Sequence, residues 1–269
     1  MSVLLEDLQD GVLWLTLHRP ERRNALNPEL REALLSALQT AENREEVRVI
    51  AITGAGEAFC AGGDLKVMQE LVAREADFRE FLPFLAVGEA IVRHLRSSRK
   101  PTLAVINGAT AGAGLGLAMA CDLRIASEEA FFLAPFVRLG LHPDWGLSHF
   151  LPRRIGAGRA LWMTWTAERV DARTAYQWGL VEEVCPHEEL RERAQTRARQ
   201  LAQWDPELLR AIRESLEYGF QASLPETILR ERTLQRARWE SADAKRRIRE
   251  GGRAPTIEKV ESNEEGNSS

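Results

Sequence analysis

Three short stretches hold the residue types and spacings that can do chemistry. In GLHPDWG, Gly140 to Gly146, His142 and Asp144 stand among apolar residues and glycines. A carboxylate in that setting can act as acid or base, or it can cap a helix opening at WGLSHFLPRR. His142 alone reads as a loop-surface residue. In GAGEAFCAGGDL, Gly54 to Leu65, the small residues Ala61, Gly62 and Gly63 let a ligand approach the backbone. Asp64 is placed to cap the helix LKVMQELVA, and a tight strand-to-helix turn accounts for the same residues. In INGATAGAGLGLAMACD, Ile106 to Asp122, four glycines precede or open an apolar helix. If that helix starts near Ala113 or Gly114, its first N–H groups lack an intrahelical acceptor and carry partial positive charge. The stretch is then either an anion hole made of backbone or a buried helix packed closely through small residues. Composition favours neither. Two such turns in one chain suit acyl chemistry, where converging N–H donors hold the charge that develops on a carbonyl oxygen.

Other chemistries lack their patterns. No serine sits in G-x-S-x-G, and no HExxH or EF-hand spacing occurs. Cys60, Cys121 and Cys185 lie far apart without CxxC or Cys/His spacing, so no metal site and no disulfide framework is expected. That usage fits a reducing compartment. The remaining histidines (His18, His94, His149 and His187) fall at strand ends or in charged helices and read as structural.

The elements that must position these residues follow from periodicity. GVLWLTLH, VRVIAIT, LAVIN and LRIAS read as strands. Between the first two, ALNPELREALLSALQTAE has Asn27 to cap, Pro28 for the first turn and an apolar stripe of Leu30, Leu34, Ala37, Leu38 and Ala41. A helix is expected from about Asp77 to Leu95. Strands alternating with helices imply a layered α/β fold. Beyond Trp145 the chain reads as mostly helical. The tail TIEKVESNEEGNSS is polar and acidic and is expected to be disordered.

The 269 residues and 44% hydrophobic content suffice for one sizeable core with an appended subdomain. A net charge of −4 gives no general electrostatic reason to bind nucleic acid or an anionic membrane. Arginines are dense from Arg191 to Arg253 but interleaved with acids, which reads as ion-paired helix faces rather than a phosphate patch. No apolar run approaches membrane-spanning length, and the N-terminus carries no basic leader. A cytoplasmic protein is expected.

Taken together, HRPERRNALNPEL, GAGEAFCAGGDL, KPTLAVINGATAGAGLGLAMACDLRIAS and RLGLHPDWGLSHFLPRRIGAG resemble the enoyl-CoA hydratase/isomerase, or crotonase, family. The likeness runs in order from about Val3 to Val184. It implies an α/β spiral of ββα units over residues 1–200, a helical C-terminal part over 201–254 and a disordered tail over 255–269. It also implies a homotrimer or homohexamer, an acyl-CoA ligand and no cofactor beyond the CoA thioester. By the family pattern Gly63 and Ala113 supply the two oxyanion-hole N–H groups. Arg22, Ala61, Asp64, Leu65 and Lys66 fall where the family contacts CoA, and Arg22 and Lys66 could meet its phosphates.

The departures from the pattern decide the expected reaction. The two glutamates of the family's hydratases fall at Gly116 and Phe136, and neither residue can transfer a proton. Asp144 remains, in a setting that resembles the isomerase branch, including 1,2-epoxyphenylacetyl-CoA isomerase. An isomerase that shifts a double bond or rearranges a ring epoxide is therefore expected, with Asp144 as sole acid/base and Phe136 as an apolar wall that raises its pKa. Three alternatives stand beside it. One is a hydratase or lyase with displaced catalytic groups. Another is an aryl-CoA dehalogenase-like enzyme, whose histidine would align at Arg93, one residue short of His94. The third is a non-catalytic CoA-binding protein. The acyl pocket is expected between Val67–Phe84 and Phe131–Val137.

Overall fold

A computed structural model describes residues 2–252. Most of the chain repeats one operation: a strand in a large sheet, a short strand in a second sheet, then a helix. β1 (Leu4–Gln9) and β2 (Val12–Leu17) form a hairpin, followed by α1 (Pro28–Glu42). β3 (Val49–Gly54) leads to β4 (Ala58–Cys60), then α2 (Leu65–Ala73) and α3 (Phe78–Ser97). β5 (Thr102–Ile106) leads to β6 (Ala109–Ala111) and α4 (Ala113–Ala120). β7 (Leu123–Ser127) leads to β8 (Phe131–Leu133), α5 (Leu147–Ile155) and α6 (Ala157–Thr166). β9 (Val170–Asp171), α7 (Ala172–Trp178), β10 (Glu183–Cys185) and α8 (Leu190–Ala202) follow.

The large sheet has the order β1-β2-β3-β5-β7-β10 and the small one β4-β6-β8-β9. Strands β2, β3, β5, β7 and β10 pair in parallel, with β1 antiparallel at one edge. This is the expected α/β spiral of ββα units. Both faces of the large sheet are covered, so its strands read as continuous apolar runs. Leu13, Leu15, Ile50, Ile52, Ala104 and Ile106 fill one face. Val12, Trp14, Val49, Ala51, Leu103 and Val105 fill the other, where α8 packs Leu190, Ala194 and Ala198.

The four expected strands are present. β1 went unread because most of its residues are exposed and its alternation is weak. Its hairpin signal is the Asp10-Gly11 turn, with both residues at positive φ (52° and 76°). The strands of the small sheet have two or three residues each, too few for a period to register. In α1 the Asn27 side chain accepts from the Leu30 N–H, and the expected stripe is buried. One further residue is buried with it, and it is charged: Arg31.

The chain divides into two compact units between Ala202 and Gln203. The second contains α9 (Pro206–Gly219), α10 (Leu224–Glu240) and α11 (Ala242–Arg249). Asp205 caps α9, and a Ser223–Glu226 capping box opens α10. Several of its arginines are ion-paired, as the interleaved acids imply: Arg210 with Glu207 and Glu214, Arg238 with Asp205, Arg246 with Asp243 and Glu250. The stretch 255–269, expected to be disordered, lies outside the described residues. No helix among the described residues is long and apolar enough to cross a membrane.

Candidate active site

The two glycine-containing turns meet. Leu26 forms an isolated parallel bridge with Gly63. Its N–H donates to the Gly62 carbonyl at 2.7 Å, and its own carbonyl accepts from the Asp64 N–H at 3.4 Å. In such a bridge the groups flanking Gly63 face Leu26, so the Gly63 N–H points the other way. Helix α4 begins at Ala113 after Gly112, whose φ is 52°. Among the described residues, neither the Gly63 nor the Ala113 N–H has a hydrogen-bond acceptor. Gly62 brings them side by side. At φ +99°, a Cβ on Gly62 would stand 2.8 Å from the Ala111 carbonyl oxygen and 3.2 Å from the Ala113 nitrogen. Only glycine permits both that backbone conformation and that approach. Two N–H groups without an acceptor, one of them at a helix start, thus lie close together.

Asp144 does not cap α5. That helix begins at Leu147 with Gly146 as N-cap and no side-chain cap, which overturns the capping alternative. The reason is the backbone. Trp145 (φ 51°) and Gly146 (φ 74°) both lie in the left-handed region and turn the chain before the helix starts. For a tryptophan that conformation is strained, and such strain clusters at functional sites. The Asp144 Oδ1 is buried and has no hydrogen-bond partner among the described residues. Burial raises the Asp144 pKa; the positive Arg31, the backbone N–H of Asp144 and His142 oppose that rise. His142 itself is exposed, with Nδ1 2.7 Å from the Pro143 carbonyl.

Trp145 explains the two missing glutamates in part. Its side chain is wedged between α3 and α4. A Cβ on Gly116 would lie 3.0 Å from the Trp145 carbonyl oxygen, 3.3 Å from its Cγ and closer still to its Cβ. A Cβ on Gly88 would meet the indole at 2.7–2.8 Å. The space beside position 116 is therefore filled by the residue next to Asp144. Phe136, at the second glutamate position, is 7% exposed and belongs to the main core.

Arg31 was not anticipated as a site residue, although it lies three residues before Leu34 and seven before Leu38, on the stripe itself. It is 2% exposed. Its Nε donates to the Leu26 carbonyl at 3.1 Å and its Nη1 to the Phe84 carbonyl. Its Cζ lies 3.3 Å from the Phe84 ring centroid and 5.3 Å from that of Trp145. A Cβ on Gly63 would lie 3.5 Å from its Nη2 and 2.5 Å from Met68 Cε. Met68 and Phe84, from the expected acyl-pocket segments, thus border the site, whereas Phe78 is exposed at the start of α3.

The expected CoA-contacting residues gather at the start of α2 and near Pro20–Arg22. Leu65, Lys66 and Arg22 are exposed, and Ala61 is half-buried. Asp64 is engaged by the protein itself: it caps the Lys66 N–H at 3.1 Å and pairs with Arg19 at 2.9 Å. Arg19, unnoticed in the sequence, thereby ties the Pro20–Arg22 turn to α2. Arg93 is exposed on α3, and the His94 Nε2 lies 4.0 Å from Glu42, beside Ser98 and Arg99. Among the described residues neither is hydrogen-bonded to or ion-paired with Asp144.

The model of the family described as enoyl-CoA hydratase/isomerase matches residues 7–262. A protein of Rhodobacter capsulatus named "Probable enoyl-CoA hydratase" is 37% identical over 254 residues, 92% of each chain. The 1,2-epoxyphenylacetyl-CoA isomerase of Escherichia coli is 35% identical over 248 residues, covering 90% of this chain and 92% of that one. The crystal structure of an enoyl-CoA hydratase from Polaromonas sp. JS666 matches with a TM-score of 0.87 at 33% identity, covering 94% and 98% of the two chains. The chain belongs to the enoyl-CoA hydratase/isomerase family.

Proposed function

We propose that this enzyme is an acyl-CoA isomerase in which Asp144 moves a proton while the Gly63 and Ala113 N–H groups hold the thioester enolate. The observation that carries the reading is the buried, unpartnered Asp144 Oδ1, combined with Gly116 and Phe136 where glutamates would stand. Asp144 takes a proton from one carbon of the acyl chain. The C–H electron pair moves into the thioester carbonyl, and the oxygen becomes an enolate between the two N–H donors. The enolate then reforms the carbonyl, the double bond shifts, and the Asp144 carboxyl returns the proton at the other end of the allylic system. Burial suits the first half, because a raised pKa makes the carboxylate a stronger base, and a pKa that stays near the operating pH still lets the carboxyl return the proton.

The substrate is an acyl-CoA, with Arg22 and Lys66 at the phosphates and Ala61, Asp64 and Leu65 along the CoA path. Met68, Phe84 and Phe136 favour an apolar acyl group. A cytoplasmic homotrimer or homohexamer with no cofactor beyond the substrate's CoA completes the reading. The test is a panel of 3-enoyl-CoA and aromatic acyl-CoA thioesters in deuterated water. The enzyme exchanges deuterium at the α or γ carbon, and Asp144→Asn abolishes it. Hydration of crotonyl-CoA by the wild type without any proton shift would replace this reading with a hydratase. Undiminished exchange in Asp144→Asn would remove Asp144 from the chemistry.

A further inference from the structure

Resting on the reading of Asp144 as the acid/base, we infer that Arg31 is a positioning residue whose fixed guanidinium keeps the Asp144 carboxylate ionised inside the apolar pocket. A fully buried cation on the apolar stripe of a helix is costly unless it is hydrogen-bonded and compensated. Arg31 has two of its donors on main-chain carbonyls, those of Leu26 and Phe84, and its plane lies against the Phe84 ring. Those contacts set its position but bring no negative charge. Its remaining nitrogen, Nη2, has no hydrogen-bond partner among the described residues and is aimed at Gly63, one of the two oxyanion donors.

The charged groups that face it are few. The Arg31 Cζ lies 5.3 Å from the ring of Trp145, the residue that follows Asp144, which brings the guanidinium to the Asp144 turn. Asp144 is the first anion to act on Arg31; Cys60 is the second group, and burial pushes that thiol up to about 12, so it stays neutral. Arg31 is itself lowered to about 10 by burial and remains charged at neutral pH. Asp144 in turn is faced by Arg31 and, from its own loop, by the exposed His142. Among the described residues no ion pair within 4.0 Å joins Arg31 to Asp144. The two charges therefore act on each other through space, and the carboxylate stays free to take a proton. A direct, short ion pair would compete with that transfer. Leu26 links this cation to the oxyanion turn, since the same residue accepts from Arg31 and bridges Gly63. Hence one guanidinium supports both the base and the site where enolate charge develops.

The experiment compares Arg31→Gln and Arg31→Lys with the wild type. Glutamine keeps one donor for the carbonyls but carries no charge; lysine keeps the charge. The readout is the pH profile of kcat/KM for proton exchange, with a melting curve for each variant. Arg31→Gln raises the acid limb by about one pH unit or more, the size of effect that a nearby opposite charge has on a carboxylate. Arg31→Lys stays near the wild-type limb. An unmoved limb in a folded, active Arg31→Gln overturns the proposal and leaves Arg31 structural. If Arg31→Gln fails to fold, Arg31→Met, which suits the apolar stripe of its helix and removes the charge, carries the same test, and an unmoved limb in it overturns the proposal. Retained exchange in Asp144→Asn refutes the acid/base reading instead, so the two failures are separable.

Discussion

Gly116→Ala adds one methyl group and tests the packing that sets Asp144 in place. In an open helix this change stabilises, by up to about 1 kcal/mol, because alanine loses less backbone freedom than glycine. At Gly116 the new Cβ would be 3.0 Å from the Trp145 carbonyl oxygen and closer to its Cβ. Trp145 cannot retreat by rotating its ring, since the nearest atom is its Cβ, one bond from the main chain. Nor can it move away freely, because its indole already lies against Gly88. Overpacking of this kind costs about 1–3 kcal/mol. Set against a helix gain of about 1 kcal/mol, the net loss reaches about 2 kcal/mol, and each kcal/mol lowers the melting temperature by about 2–4 °C in a chain of this size. The strain must be relieved through residues 144–146, so Asp144 moves with it, and a displacement of about 1 Å can cost 10²-fold in rate. The assay is a thermal melt with proton-exchange kinetics, run beside Gly158→Ala. Gly158 is exposed in α6, with nothing within 4 Å of its built Cβ, so that change leaves stability unchanged or raises it. A Gly116→Ala protein as stable and active as the wild type would refute the wedge.

Three further outcomes follow from the same geometry. Asp144→Asn melts at a higher temperature than the wild type at neutral pH. The folded pKa of Asp144 is raised, so its stabilising contribution is complete below the unfolded value of about 3.9 and is lost as pH rises through the folded value. The gap between the two melting curves opens with rising pH; a constant or reversed gap contradicts the burial argument. Ala113→Pro removes the proposed oxyanion N–H at a helix position where proline is tolerated, and kcat falls by about 10²–10³-fold with the fold retained by circular dichroism. Arg22→Ala and Lys66→Ala raise KM for a CoA thioester, less so at high salt, and leave KM for the matching pantetheine thioester unchanged.

Legibility in the sequence divided along a physical line. Features that act through neighbours in the chain could be read: the Asn27 cap and stripe of α1, the Asp64 cap of α2, and the start of α4 at Ala113. Each leaves a residue-type signature within a few positions. What depends on distant segments could not be read. That Gly63 and Ala113 lie together rests on Gly62 touching the Ala111 carbonyl, about fifty residues away in sequence. Asp144 is the instructive case. Asp followed closely by a helix reads as a cap, and the structure denies it because Trp145 takes a left-handed backbone that no period or propensity foretells. Arg31 had a readable position, since its spacing to Leu34 and Leu38 puts it on the buried face, but a charged residue type by itself signals the solvent side.

The absence of one acid and the presence of another are the same fact seen from two helices. Any side chain at position 116 would need the volume that Trp145 occupies, and Trp145 occupies it because the Asp144–Gly146 turn carries it there. A glutamate on α4 and the Asp144 loop as it stands are therefore mutually exclusive in space. It follows that Gly116→Glu does not add a second acid to this site. It displaces Trp145 and shifts Asp144, so proton exchange falls, and crotonyl-CoA hydration does not appear, because Phe136 still supplies no partner for the new carboxylate. In this chain the tryptophan packed against Gly88 and Gly116 thus fixes which of two neighbouring backbones can present a carboxylate.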